Sequence, residues 1–135
     1  MMRLFTLILV LTLTSCAGSP MRLASMTPEE LTAENSYNLC NAYNNNKNEN
    51  IRNEIERRDL LTAAEWELID SNYIQVGMSE LALICLRGGI IPGVSGVVNV
   101  TSGSWGVHKQ YVYESALGGR SYVYVENGKV TSWQY

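Results

Sequence analysis

Asn127-Gly128 lies between two runs of alternating polar and apolar residues, 121–125 and 129–135. Both residues accept a left-handed backbone, which a two-residue hairpin turn requires, so the pair predicts a β-hairpin. Residues 110–114 alternate in the same way, and Gly118-Gly119 supplies the turn that leads from them into 121–125. Residues 97–101 add a candidate edge strand. A meander of this kind must cover one face, and the residues before it have to supply the cover.

Upstream the apolar period is helical. Thr27-Pro28-Glu29-Glu30 offers a cap, a proline at the first helical position and an acid at the third. Leu31, the region around Ser36, Leu39, Cys40 and Tyr43 continue the stripe as one or two short helices. Residues 44–48 are four Asn and a Lys and read as a loop, because Asn competes for its own backbone. Ile51, Ile55 and Leu60 mark a further helix, and the charges at Arg52, Glu54, Glu56, Arg57 and Arg58 read as its solvated face. Thr62-Ala63-Ala64-Glu65 is a second capping box, opening a helix that buries Trp66 and Ile69. Gly77-Met78-Ser79-Glu80 leads into a helix over 81–86 that Gly88-Gly89 ends. The expected class is α+β, with N-terminal helices packed on a three- to four-stranded antiparallel β-meander.

The amino end reads as an address. Arg3 precedes the apolar run 4–13, which is shorter than the roughly 20 residues of a spanning helix and fits a signal segment. Leu13-Thr14-Ser15-Cys16 resembles the lipobox of bacterial lipoproteins. That resemblance implies cleavage before Cys16, a diacylglycerol on its thiol and an acyl chain on its amino group, with no other cofactor. Residues 1–15 are then the signal peptide and 16–27 a lipidated tether. Ala17 after the Cys, rather than Asp, resembles enterobacterial lipoproteins sent to the outer membrane, and that resemblance implies a lipid-anchored protein there, facing the periplasm. Several acyl chains anchor durably where one does not.

With Cys16 lipidated, Cys40 and Cys85 remain in an oxidising compartment. They are either a disulfide, closing a loop of about 45 residues worth about 3–4 kcal/mol, or two buried free thiols on helix faces. The chain has 10 basic and 13 acidic side chains, a net charge of −3. It carries no basic excess for a nucleic-acid partner. One His and two Asp leave little for a metal cage or a catalytic triad.

Alternation predicts two unlike sheet faces. Val112, Val123, Val125 and Val130 fall on one, and Tyr111, Tyr113, Tyr122, Tyr124 and Trp133 on the other. If the valines meet the helices, the aromatic row lies outward as a candidate partner-binding patch; alternatively, the aromatics are covered by the 88–109 loop or by helices.

Residues 74–80, Ile-Gln-Val-Gly-Met-Ser-Glu, and 122–132, Tyr-Val-Tyr-Val-Glu-Asn-Gly-Lys-Val-Thr-Ser, resemble the helix start and closing hairpin of the SmpA/OmlA (BamE-like) small lipoproteins. The resemblance covers 74–135 and leaves 28–73 as a helical extension of one globular unit, 28–135. The family closes its second helix with a Leu-Gly-x-Pro step, where this chain has the longer run Leu86-Arg87-Gly88-Gly89-Ile90-Ile91-Pro92-Gly93. It implies a membrane-anchored, non-catalytic binding or scaffold module with an envelope protein partner and no small-molecule substrate, in outer-membrane protein assembly or envelope integrity. A second reading is an inhibitor or exclusion-type lipoprotein binding through the aromatic face, since the layout also resembles the repeat unit of β-lactamase-inhibitor proteins. An enzyme is the weakest expectation. Glu114 and Glu126 make a carboxylate pair only if adjacent strands align them, and His108 has no predicted nucleophile beside it.

Overall fold

The computed structural model describes residues 18–89 and 97–135. Residues 1–17, which include the expected signal segment and Cys16, and residues 90–96 lie outside that range. Among the described residues, six helices precede four strands: α1 (Pro20–Ala24), α2 (Pro28–Leu31), α3 (Ser36–Asn46), α4 (Glu49–Arg57), α5 (Ala63–Asp70), α6 (Glu80–Arg87), β1 (Val97–Gly103), β2 (Gly106–Glu114), β3 (Arg120–Glu126) and β4 (Lys129–Gln134). The class is α+β, as the change of period predicts.

Each helix starts at a residue with extended backbone whose side chain accepts an amide hydrogen bond from the first turn: Ser19, Thr27, Asn35, Asn48, Thr62 and Ser79. Thr27 with Glu30 and Thr62 with Glu65 complete reciprocal capping boxes. Such caps are worth about 1 kcal/mol each, which matters for helices too short to persist alone.

Three expectations about the helical half are corrected. The described part of the 16–27 segment is not a free tether, because α1 packs on α3 and Leu23 is fully buried. The Asn run is not a loop, because α3 continues to Asn46. Its side-chain amides bond carbonyls without displacing the backbone: Asn45 and Asn46 donate one turn back to Asn41 and Ala42, and Asn44 Nδ2 donates across to Leu86 O at 2.6 Å. The charge run is not simply solvated either. Glu54 is 5% exposed and accepts from Arg57 and from Arg58 Nε at 2.6 Å. Arg58 also donates to the carbonyls of Leu31, Thr32 and Glu34, tying α4 to the end of α2.

Cys40 of α3 and Cys85 of α6 form a disulfide and are both fully buried. The bond joins two helices that also pack together, inside a cluster containing Leu39, Ile51, Ile55 and Leu83. The same cluster takes in Val123, Val125 and Val130 from the sheet, each contributing about 2 kcal/mol by burial. Both halves therefore share one core.

The sheet runs β1-β2-β3-β4, antiparallel throughout. At the Asn127-Gly128 turn both residues have positive φ, 49° and 79°. The entry to α6 pairs with the edge of β4 beside this turn: Gly77 N donates to Val130 O, Val130 N to Met78 O, and Glu80 N to Gly128 O. The helix start and the hairpin are thus one hydrogen-bonded unit.

Candidate functional site

The single aromatic row does not form. Tyr111 stands opposite Val123, and Val112 opposite Tyr122. Aligning Val112 with Val123 would need a shift of one residue, and a shift of one exchanges the two faces. In β4, Val125 pairs with Val130 while Tyr124 pairs with Ser132, leaving Thr131 as an extra residue. This bulge brings Val130 and Trp133 to the same face, where strict alternation separates them. Tyr111, Tyr113 and Trp133 accordingly lie with Val123, Val125 and Val130 against the helices. Tyr122 and Tyr124 lie on the opposite face with Val112.

The inward aromatics are held as parts of the core. Tyr111 is 3% exposed, stacks on Tyr113 at 6.1 Å between ring centres, and donates its hydroxyl to Glu80 Oε1. Lys109 Nζ reaches the same carboxylate oxygen at 2.7 Å. Burial, and then the Glu80 carboxylate, push the Tyr111 hydroxyl well above the ordinary tyrosine range. At neutral pH it is therefore protonated and donates to that carboxylate. Tyr113 is half-buried, donates to Gly88 O at 3.2 Å, and is also pushed upward by burial. Trp133 meets Tyr73 edge to face at 6.4 Å. Beside Glu80, Lys109 and Tyr111 runs a groove of about 530 Å³ between α3, α6 and the inner side of β1.

The outward face has a different composition. Asn99, Thr101, His108, Gln110, Val112, Tyr122, Tyr124 and Ser132 occupy it by register. Asn99 Nδ2 donates to Gln110 Oε1 at 2.8 Å, and Gln110 Nε2 donates to the Tyr124 hydroxyl at 3.1 Å, a polar row across three strands. A shallow groove of about 300 Å³ follows it, lined by Asn99, Thr101, His108, Gln110, Tyr124 and Glu126. Fixed amides and half-buried tyrosine rings give such a face both hydrogen-bonding groups and flat contact area. Binding surfaces use that combination.

Nothing in the geometry assembles the carboxylate pair. Glu114 bonds Arg120 at 2.9 Å at one end of the β2–β3 ladder, and Glu126 faces His108 at 3.7 Å near the other. Among the described residues, no three His, Cys, Asp or Glu side chains gather closely enough to hold a metal ion, and no helix is long and apolar enough to cross a membrane.

Several contacts escape sequence reasoning. Glu80 lies 29 residues from Lys109 and 31 from Tyr111, beyond any local pattern. Glu65 caps α5 and also accepts from Ser79 N at 2.8 Å, so one carboxylate holds the starts of two helices. Burial works to raise its pKa, and the bonds from Thr62 and Ser79 outweigh that and lower it. Glu54, with Arg57 and Arg58 three and four residues on, carries a visible signal of local pairing. No family model, curated protein or solved structure matches the chain.

Proposed function

We propose that this chain is a lipid-anchored lipoprotein of the bacterial envelope, held at the outer membrane facing the periplasm. Its domain binds a protein partner and performs no chemistry, in outer-membrane protein assembly or envelope integrity. The run 4–13 and the junction at Cys16 support the anchor. The observation that carries the reading is the fully buried Cys40–Cys85 bond. A bond of this kind belongs to an oxidising compartment, to which an exported chain is delivered. The outward face of the sheet, with Tyr122 and Tyr124, is the surface we assign to the partner.

Two measurements test the two parts. Wild type should incorporate labelled palmitate and fractionate with the outer membrane, while Cys16→Ala stays unlabelled and uncleaved. Soluble, unlabelled wild type overturns the anchor. For the partner, a photo-crosslinker at Tyr124 should capture a barrel-assembly or other envelope protein in cells. The same crosslinker at the buried Val123 position is the negative control. Equal yields from both positions would remove the sheet face from the proposal.

A further inference from the structure

The short helix α1 carries an inference that rests on the lipid anchor proposed above. Residues 16–27 would be expected to hang the domain on a loose leash, yet their described part is fastened to it. Leu23 is fully buried. The side-chain amides of Asn46 and Asn48 donate to the carbonyls of Pro20 at 3.0 Å and Ala24 at 3.3 Å. Arg22 pairs with Glu34 at 3.1 Å, and Ser19 caps the helix. At Gly18, with φ of 85°, a Cβ would come within 2.4 Å of the Asn38 side chain, so the backbone already lies against α3 there. The fastened body thus begins at Gly18, two positions after Cys16 in the sequence.

Two residues extend at most about 7 Å, and five about 17 Å. A lipid on Cys16 therefore leaves Gly18 almost no freedom to leave the bilayer surface, and Met21 very little. Met21 is 84% exposed. It lies two residues from Leu23, a turn of about 200° around the helix, so it points away from the core that Leu23 enters. A methionine facing away from the protein at this distance from acyl chains has an apolar medium within reach.

We propose that α1 is a membrane-contacting foot. The lipid on Cys16 and the docking of α1 on α3 hold the domain flush with the bilayer, with Met21 seated at the boundary between headgroups and acyl chains. The domain would then present its remaining faces in a fixed orientation instead of sampling all of them on a leash.

The test uses the full lipidated protein carrying Met21→Cys. With Cys16 acylated and Cys40 bonded to Cys85, position 21 holds the sole free thiol for an environment-sensitive fluorophore. The purified protein is reconstituted into phosphatidylethanolamine–phosphatidylglycerol vesicles with brominated acyl chains. Expected are blue-shifted emission and at least two-fold quenching, both abolished when ten Gly/Ser residues are inserted between Ala17 and Gly18. Mass spectrometry reports the lipid separately. Absence of lipid on Cys16 overturns the anchor and this inference together. Lipid present with no quenching overturns the foot alone, as does quenching that persists after the insertion, because the short link would then not be its cause.

Discussion

In the helical half, polar side chains fasten one element to the next, and on the inner sheet face Lys109 and Tyr111 do the same by reaching Glu80 of α6; on the outer sheet face, polar side chains stand where the helices leave them uncovered. Glu54 and Arg58 bind α4 to α2, Asn44 binds α3 to α6, and Glu65 binds α5 to α6. Asn99, Gln110 and Tyr124 bond one another along the outer sheet face and fasten no helix. The difference separates polar groups that hold the fold from polar groups available for recognition. It also says where substitution should be felt.

The largest effect is expected from the disulfide. Replacing Cys40 and Cys85 together by Ala should cost about 4 kcal/mol, the chain-entropy value for a loop of this length, read by urea unfolding. A loss below about 1 kcal/mol would mean that the packing of α3 on α6 suffices alone, and the helical half would lose its strongest fastening. Next comes the charge network. Arg58→Ala should cost about 3 kcal/mol, because it strips a buried carboxylate and three carbonyls of one partner.

The same network sets a pH dependence. The Arg57 guanidinium, with Arg58, holds the Glu54 carboxyl down to about 2 from its ordinary 4.5, against the opposing effect of burial. A group depressed on folding stabilises the fold above its unfolded pKa, and that contribution disappears as pH falls through the folded value. Stability should therefore fall between about pH 4.5 and 2. Urea titrations across that range should show the gap between wild type and Glu54→Gln closing on acidification. A constant gap would refute the pairing.

The smallest effect sharpens the comparison most. Val123 and Tyr124 are neighbours on β3 that face opposite ways. Val123→Ala should cost about 2 kcal/mol, whereas Tyr124→Ala should cost less than about 1 kcal/mol. Thermal melts of the two variants decide it, and equal losses would mean that the outer face also belongs to the core.

The features legible in the sequence are those set by near neighbours. Thr27 and Thr62 announce helix starts through their spacing to Glu30 and Glu65, and Asn127-Gly128 announces its turn through a backbone that few residue pairs accept. What failed in the sheet depends on counting across turns. The faces of Tyr111 and Val112 hinge on a one-residue register between β2 and β3, and the face of Val130 hinges on the extra Thr131. Periodicity shows neither quantity. Two of the five proposed binding aromatics, Tyr122 and Tyr124, keep an outward place, and the polar row that Tyr124 joins includes Asn99 and Gln110, which no aromatic pattern would find. Cysteine arithmetic proposed Cys40 and Cys85 as partners, while the choice between bonded and free thiols required seeing α3 against α6.

The Cys40–Cys85 bond also alters how tension would travel. Suppose the amino end is held and the sheet is pulled. Force entering from β1 reaches Cys85 along α6, crosses the sulfurs to Cys40, and leaves through the start of α3 toward α1. Residues 41–84, with α4 and α5, form a closed side loop that the covalent path bypasses. Stretching can then lengthen the chain only by what lies outside that loop, so α4 and α5 would keep their shape while the sheet is drawn out.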